Sequence, residues 1–219
     1  MPQQTFFSES GLRPITRRRT LMACLAAGAA PWLAACDPLT GAAGAAEGFK
    51  GIDITGAGYA QDFALTDFSG TPRTLADYRG QVVMLYFGFV QCPDVCPTAL
   101  ARASEVLQLL GPEAAPRVQL LFITVDPERD TPALLQAYMA AFDPSFMALT
   151  GSLEQIRATA EDFRVYFKKV PTGSTYTMDH TALTYLFDPG GKVRVALRHE
   201  QTATDYAADI RRLLGESVS

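Results

Sequence analysis

The sequence predicts an α/β domain with a central mixed β-sheet flanked by helices, and three observations predict it. Two apolar runs, "VVMLYFGF" and "VQLLFITV", show no polar alternation and so read as strands buried on both faces. Helix-opening signals follow each run: Pro97 after the first, Thr131 and Pro132 after the second. Pro189-Gly190-Gly191 separates "TALTYLFD" from "KVRVALR", the pattern of a hairpin added to those strands.

Taken in chain order, residues 1–35 read as an export signal rather than as part of the fold. Arg17, Arg18 and Arg19 form a basic segment, and the apolar stretch from Leu21 to Ala35 is interrupted by Gly28 and Pro31. A spanning helix needs ~20 apolar residues, so this stretch is short for an anchor and suits a signal. Leu33-Ala34-Ala35-Cys36 resembles the lipobox of bacterial lipoproteins, in which the cysteine becomes the lipid-modified first residue after cleavage. "TRRRTLM" also resembles a twin-arginine signal, with Thr20 where phenylalanine is usual, so either export route fits. Cys24 lies in the removed stretch. Residues 36–51, mostly Gly and Ala after Cys36, have almost nothing to bury and read as a flexible tether.

The domain is expected to begin near Ile52 and to occupy residues 52–217. "FALTD" is its first strand and "VVMLYFGF" the next. Pro97 to Leu110 reads as a helix with proline in its first turn and Gly111 as its stop. After "VQLLFITV", Thr131 and Pro132 open a helix to about Phe142, and Ser152 with Gln155 forms a capping box that opens a third. The hairpin follows, and a last helix from about Thr204 to Leu214 ends at Gly215. This order, βαβα and then a hairpin and a helix, is that of a thioredoxin-like fold.

Composition narrows the function classes. With 219 residues, 48% hydrophobic and 19% charged, the chain suits one globular domain. Its 19 Lys+Arg stand against 23 Asp+Glu, with no basic stripe, so no nucleic acid partner is expected.

The chemistry concentrates in "QCPDVCP". Cys92 lies on the loop entering a helix, and Pro97 biases Cys96 to a position at or just before the helix N-terminus. Sulfurs there face the positive end of the helix dipole, which favours thiolate, the form needed for disulfide exchange and for metal ligation alike. A structural disulfide is the third reading, but so short a loop removes little chain entropy, and a domain of this size folds without a staple. His180, in "YTMDHTALTYLF", stands just before a strand and after a loop from about Pro171, where thioredoxins carry a cis-proline. Two thiolates and one imidazole suit copper; structural zinc usually takes four protein ligands, and iron–sulfur clusters usually four cysteines. Asp94 and Asp179 are candidates to tune the metal or orient the imidazole from outside the ligand set. Met178 reads as packing and His199 as a surface residue. Asp126, Arg129 and Asp130 in "VDPERDTP" read as an ion-paired loop that holds the next helix.

"YFGFVQCPDVCP", "ITVDPERDTPALLQAYMAAFDPSFMALTGSLEQI" and "DHTALTYLFDPGGKVR" together resemble the Sco/SenC family, over a span from about Tyr59 to Leu214. The resemblance implies a membrane-tethered, thioredoxin-fold copper metallochaperone that helps assemble the dinuclear copper A centre of cytochrome c oxidase. It carries the family's ligands for Cu(I) or Cu(II) to Cys92, Cys96 and His180. It further implies cytochrome c oxidase subunit II as recipient, with a thioredoxin-type thiol reductant and other copper chaperones as further partners. With the lipobox at Cys36, it places the domain on the periplasmic side of a bacterial cell membrane. The alternative is a thiol–disulfide oxidoreductase that uses the same cysteine pair on partner cysteines. Two departures stand out: Val90, where many members have threonine, and a lipoprotein-type signal in place of the family's common transmembrane helix.

Overall fold

The computed structural model describes residues 48–215. The signal, Cys24, Cys36, the tether through residue 47 and the domain's expected last residues 216–217 lie outside the described residues.

Ten strands and four α-helices form the described part. In chain order the strands are β1 (Ile52–Asp53), β2 (Leu65–Asp67), β3 (Pro72–Arg73), β4 (Val82–Gly88), β5 (Val118–Thr124), β6 (Met147–Thr150), β7 (Phe167–Thr172), β8 (Thr175–His180), β9 (Leu183–Phe187) and β10 (Val193–Arg198). The helices are α1 (Val95–Ala114), α2 (Pro132–Ala140), α3 (Leu153–Asp162) and α4 (Ala203–Leu213). Eight strands make one mixed sheet in the order β1-β10-β9-β4-β5-β6-β2-β3, and β7 and β8 form a separate two-stranded ribbon. The thioredoxin-like arrangement places β4 at the centre, parallel to β5 and antiparallel to β9. Every residue of β4 is buried, as an uninterrupted apolar run requires. Each large apolar side chain sealed there contributes ~1.5–3 kcal/mol relative to an exposed one.

Helix signals act where the sequence places them. The Thr131 hydroxyl accepts from Leu134 N–H with Pro132 in the first turn, and Ser152 and Gln155 close a reciprocal capping box. Helix α1 differs from expectation at both ends. It starts at Val95 with Asp94 as N-cap, so Cys96 sits inside the first turn rather than before it. Pro97 is tolerated there because its missing N–H would have had no intrahelical partner in the first turn. At the other end Gly111 adopts φ 76°, ψ 178° and breaks the helix at the expected stop, but the chain resumes helical turns to Ala114.

The largest departure is the stretch before His180, expected as a loop. It is instead the ribbon, in register from Phe167↔His180 to Thr172↔Thr175 and closed by Gly173 at φ 62°. Pro171 does not prevent this because the ribbon has only two strands, each with a free edge where an absent N–H costs no ladder bond. Contacts with the folded domain also begin ahead of Ile52, at helix α4. The N–H groups of Lys50 and Gly51 donate to the two carboxylate oxygens of buried Asp209, at 2.7 and 2.9 Å. Among the described residues no helix is long and apolar enough to cross a membrane.

Candidate metal site

Strand β4 delivers the chain to the site and stops there. Its last residue, Gly88, passes so close to its neighbours that a Cβ would lie 2.7 Å from the Phe122 ring and 2.9 Å from Cys96 Sγ. The next turn is closed by Cys92 N–H donating to the Phe89 carbonyl at 3.3 Å. Helix α1 then begins, and Cys96 N–H, one of its unpaired first-turn donors, points at Cys92 Sγ from 3.4 Å. Cys96 is fully buried and Cys92 only 9% exposed; both thiols are free.

His180 arrives at the end of β8. Its Nε2 lies 3.5 Å from Cys96 Sγ, and its Nδ1 lies 3.1 Å from the Thr181 carbonyl. A carbonyl can only accept, so that bond places the ring proton on Nδ1 and leaves the Nε2 lone pair facing the sulfurs. Tyr86 and Phe89 hold the ring in edge-to-face contacts at 6.1 and 5.8 Å. The donor atoms of Cys92, Cys96 and His180 all lie within 4.8 Å of one another. Cys92 and His180 open into a cleft of about 300 Å³ also lined by Phe89, Pro93, Asp94, Met178 and Asp179, with Cys96 buried behind them. Larger hollows exist elsewhere on the surface, such as one of about 830 Å³ at the Gly111 break. Donor chemistry, not volume, marks this one.

The two thiols are electrostatically unequal. The Cys96 thiol donates towards Cys92, which outweighs the cost of burial; the N–H groups of Asp94 and Cys96 add to it, and Cys92 is held well below the ordinary thiol range. Cys96 is pushed up, first as the donor in that pair, then by burial and by the Cys92 charge. Behind Cys96 the Tyr86 hydroxyl is buried without a well-aligned partner, and burial, followed by the sulfur charges, raises it.

The remaining expected residues divide. Asp94 acts on Cys92 through its backbone N–H, while its side chain is exposed and caps nothing. Asp179 is exposed and sits opposite Lys168 on the ribbon; the Thr181 carbonyl, not this carboxylate, orients the imidazole. Asp179 nonetheless lines the same cleft as Cys92 and His180, at its exposed rim. Met178 is buried as packing. His199 is half-buried rather than on the surface, with Nδ1 unpartnered among the described residues. Asp126, Arg129 and Asp130 do more than hold α2. The Asp130 carboxylate accepts from Val90 N–H at 3.1 Å and from the Thr124 hydroxyl at 2.6 Å, and so pins the strand ends beside the cysteines. Gly88 and Tyr86 escaped the sequence reading. A glycine at the end of a buried strand, four residues before Cys92, is the signal that marks the first.

Comparison with known proteins agrees with this geometry. The SCO1/SenC family model matches residues 53–215. The mitochondrial SCO2 homolog of Mus musculus is 41% identical over 154 residues, 69% of this chain and 60% of that protein. The chain thus spans less than two thirds of the length of this curated relative. Among solved structures, copper-bound ScoI of Bradyrhizobium japonicum is 44% identical with a TM-score of 0.64, covering 69% of this chain and 97% of its own. BsSco, described with a disulfide switch and as a member of the Sco family of cytochrome c oxidase assembly proteins, is 25% identical with a TM-score of 0.59, covering 76% and 98%. With a family model matched across the whole folded region and these relatives beside it, the chain belongs to the SCO1/SenC family.

Proposed function

We propose that this chain is a copper metallochaperone: Cys92, Cys96 and His180 bind one Cu(I) or Cu(II) and pass it to cytochrome c oxidase subunit II for its dinuclear copper A centre. The observation that carries the reading is the convergence of two thiol sulfurs and one imidazole nitrogen within 4.8 Å, with Cys92 and His180 lining an open cleft. The copper-bound relative and the family's description as oxidase assembly proteins support it. Copper is cargo here, and the chemistry of this chain is capture and release. Cys92 meets the ion as a thiolate, Cys96 yields its proton on binding, and His180 completes a three-donor set. A three-donor site open to solvent lets an incoming ligand join before one departs, which is what transfer between proteins needs.

The same reading extends to the parts outside the described residues. Residues 1–35 are removed on export, Cys36 carries lipid, and residues 36–51 tether the copper-binding domain, residues 52–217, at the periplasmic face of the cell membrane. A thioredoxin-type reductant keeps the pair reduced, and other copper chaperones supply it.

The unequal thiols also favour thiol–disulfide exchange, so the reductase reading needs its own test. Cells carrying His180→Ala or Cys92→Ser separate the two. Copper delivery predicts poor oxidase assembly in both, with partial rescue of His180→Ala by added copper. Normal assembly in His180→Ala with failure in Cys92→Ser would leave the dithiol as the working part.

A further inference from the structure

The two ligand-bearing segments belong to different sheets. Cys92 lies on the loop after β4 of the main sheet and Cys96 in the first turn of α1, whereas His180 ends a ribbon whose strands, among the described residues, pair only with each other. The ribbon's base is tied by Thr181 N–H to the Tyr166 carbonyl at 2.9 Å, and by Tyr166 N–H to the Thr181 hydroxyl at 3.1 Å. Those bonds close the ribbon on itself. They do not set its distance from the cysteines.

One side chain spans that gap. Arg129 Nη1 donates both to Gln91 Oε1 at 3.1 Å and to the Tyr176 carbonyl at 2.8 Å. Gln91 immediately precedes Cys92. The guanidinium also lies 3.7 Å from the centre of the Tyr176 ring, and its Nε pairs with Asp126. Asp126 in turn accepts from the Tyr176 hydroxyl at 2.9 Å, so the tyrosine is held at its ring, hydroxyl and carbonyl. Tyr176 and His180 are four residues apart on one strand and therefore share a face of the ribbon. A hold on Tyr176 fixes the face that carries the imidazole. The Arg129 side chain is 17% exposed, so water competes weakly for these bonds. The neighbouring Glu128–Lys169 pair at 2.6 Å is exposed at both ends and adds little.

We infer that Arg129 is a positioning residue for metal capture, bridging the Cys92 loop to the His180 ribbon and holding Nε2 beside the sulfurs before the ion arrives. The inference rests on the copper reading above and adds to it the residue that sets the imidazole's place. Alanine at this position would strand the buried Asp126 carboxylate and endanger the fold, so Arg129→Lys is the better variant. Lysine keeps a cation for Asp126, but a single ammonium does not reproduce the planar fork and the ring stack. Gln91→Ala cuts the cysteine end of the bridge at an exposed residue and leaves the buried pair intact.

The test is competitive Cu(II) titration of the reduced full chain, with the nitrogen coupling of bound Cu(II) read by electron paramagnetic resonance. Arg129→Lys should lose about 10–100-fold in affinity and most of the nitrogen signature, with both thiols still titratable. Gln91→Ala should shift both readouts in the same direction, by less. Combined with His180→Ala, neither variant should weaken binding beyond His180→Ala alone, because the two act through one contact. Wild-type affinity and nitrogen coupling in Arg129→Lys and Gln91→Ala would overturn the inference and leave the copper reading standing. Losses that multiply with His180→Ala would overturn it too, by showing that Arg129 acts through the fold at large. A wild-type chain that takes up no copper would instead overturn the reading on which it rests.

Discussion

Replacing Gly88 with alanine adds one methyl group where the structure has no room for it. The new Cβ would lie 2.7 Å from Phe122 Cε2 and 2.9 Å from Cys96 Sγ, against 3.4 Å for ordinary contact. The ring must therefore retreat by about 0.7 Å and the sulfur by about 0.5 Å. Neither is free to do so: Phe122 is fully buried on β5, and Cys96 is fully buried in the first turn of α1. Gly88 is not among the positive-φ glycines, so alanine brings no backbone penalty and the cost is steric. Overpacking of this kind costs ~1–3 kcal/mol. For a domain of this size that corresponds to a fall of about 2–12 °C in the thermal midpoint. Because Cys96 Sγ is only 3.5 Å from His180 Nε2, a displaced sulfur also spoils the donor set, and copper affinity should drop about tenfold or more. Calorimetry of the reduced chain and a copper competition titration read the two effects. A Gly88→Ala protein that melts within about 1 °C of wild type and binds copper as tightly would show that the strand end has room for a methyl group.

Oxidation to a Cys92–Cys96 disulfide should abolish copper uptake, since both thiolates are consumed; equal uptake by oxidised and reduced chains would remove the cysteines from the site. Lowering of the Cys92 pKa ties stability to pH: the contribution is fully present above the unfolded thiol's pKa and is lost as pH falls through the lowered folded value. Denaturant unfolding of the reduced, metal-free chain should therefore show stability climbing as pH rises through neutrality, and Cys92→Ser should flatten that climb; an identical slope in both proteins would contradict the thiolate assignment. Cys36→Ser should block lipid attachment and leave fold and copper binding unchanged, and radiolabelled palmitate appearing in the Cys36→Ser protein would disprove the anchor.

What the residues disclose unaided follows from how strongly each is patterned. The runs that became β4 and β5 are apolar at nearly every buried position, Thr124 excepted, and are too short for a typical buried helix. Thr131 and Ser152 cap their helices through local bonds to neighbours three residues away, so sequence alone shows them. Strands β1, β3 and β6 have two to four residues each, too few for a period to appear. The ribbon was hidden by Lys168, Lys169 and Pro171, which mark a loop in a buried sheet but suit an exposed two-stranded piece. At the site, Cys92, Cys96 and His180 were legible because their chemistry is rare. Gly88 and Arg129 were not, because each acts by closing a distance between segments far apart in sequence.

Copper titration of the reduced chain, wild type against Cys92→Ser, Cys96→Ser and His180→Ala, bears most directly on the claim that these three residues carry the metal. The wild-type chain should take up about one copper, either serine variant should lose nearly all tight binding, and His180→Ala should bind more weakly, with a greater loss for Cu(II) than for Cu(I). Wild-type stoichiometry and affinity in any one of the three variants would contradict that claim.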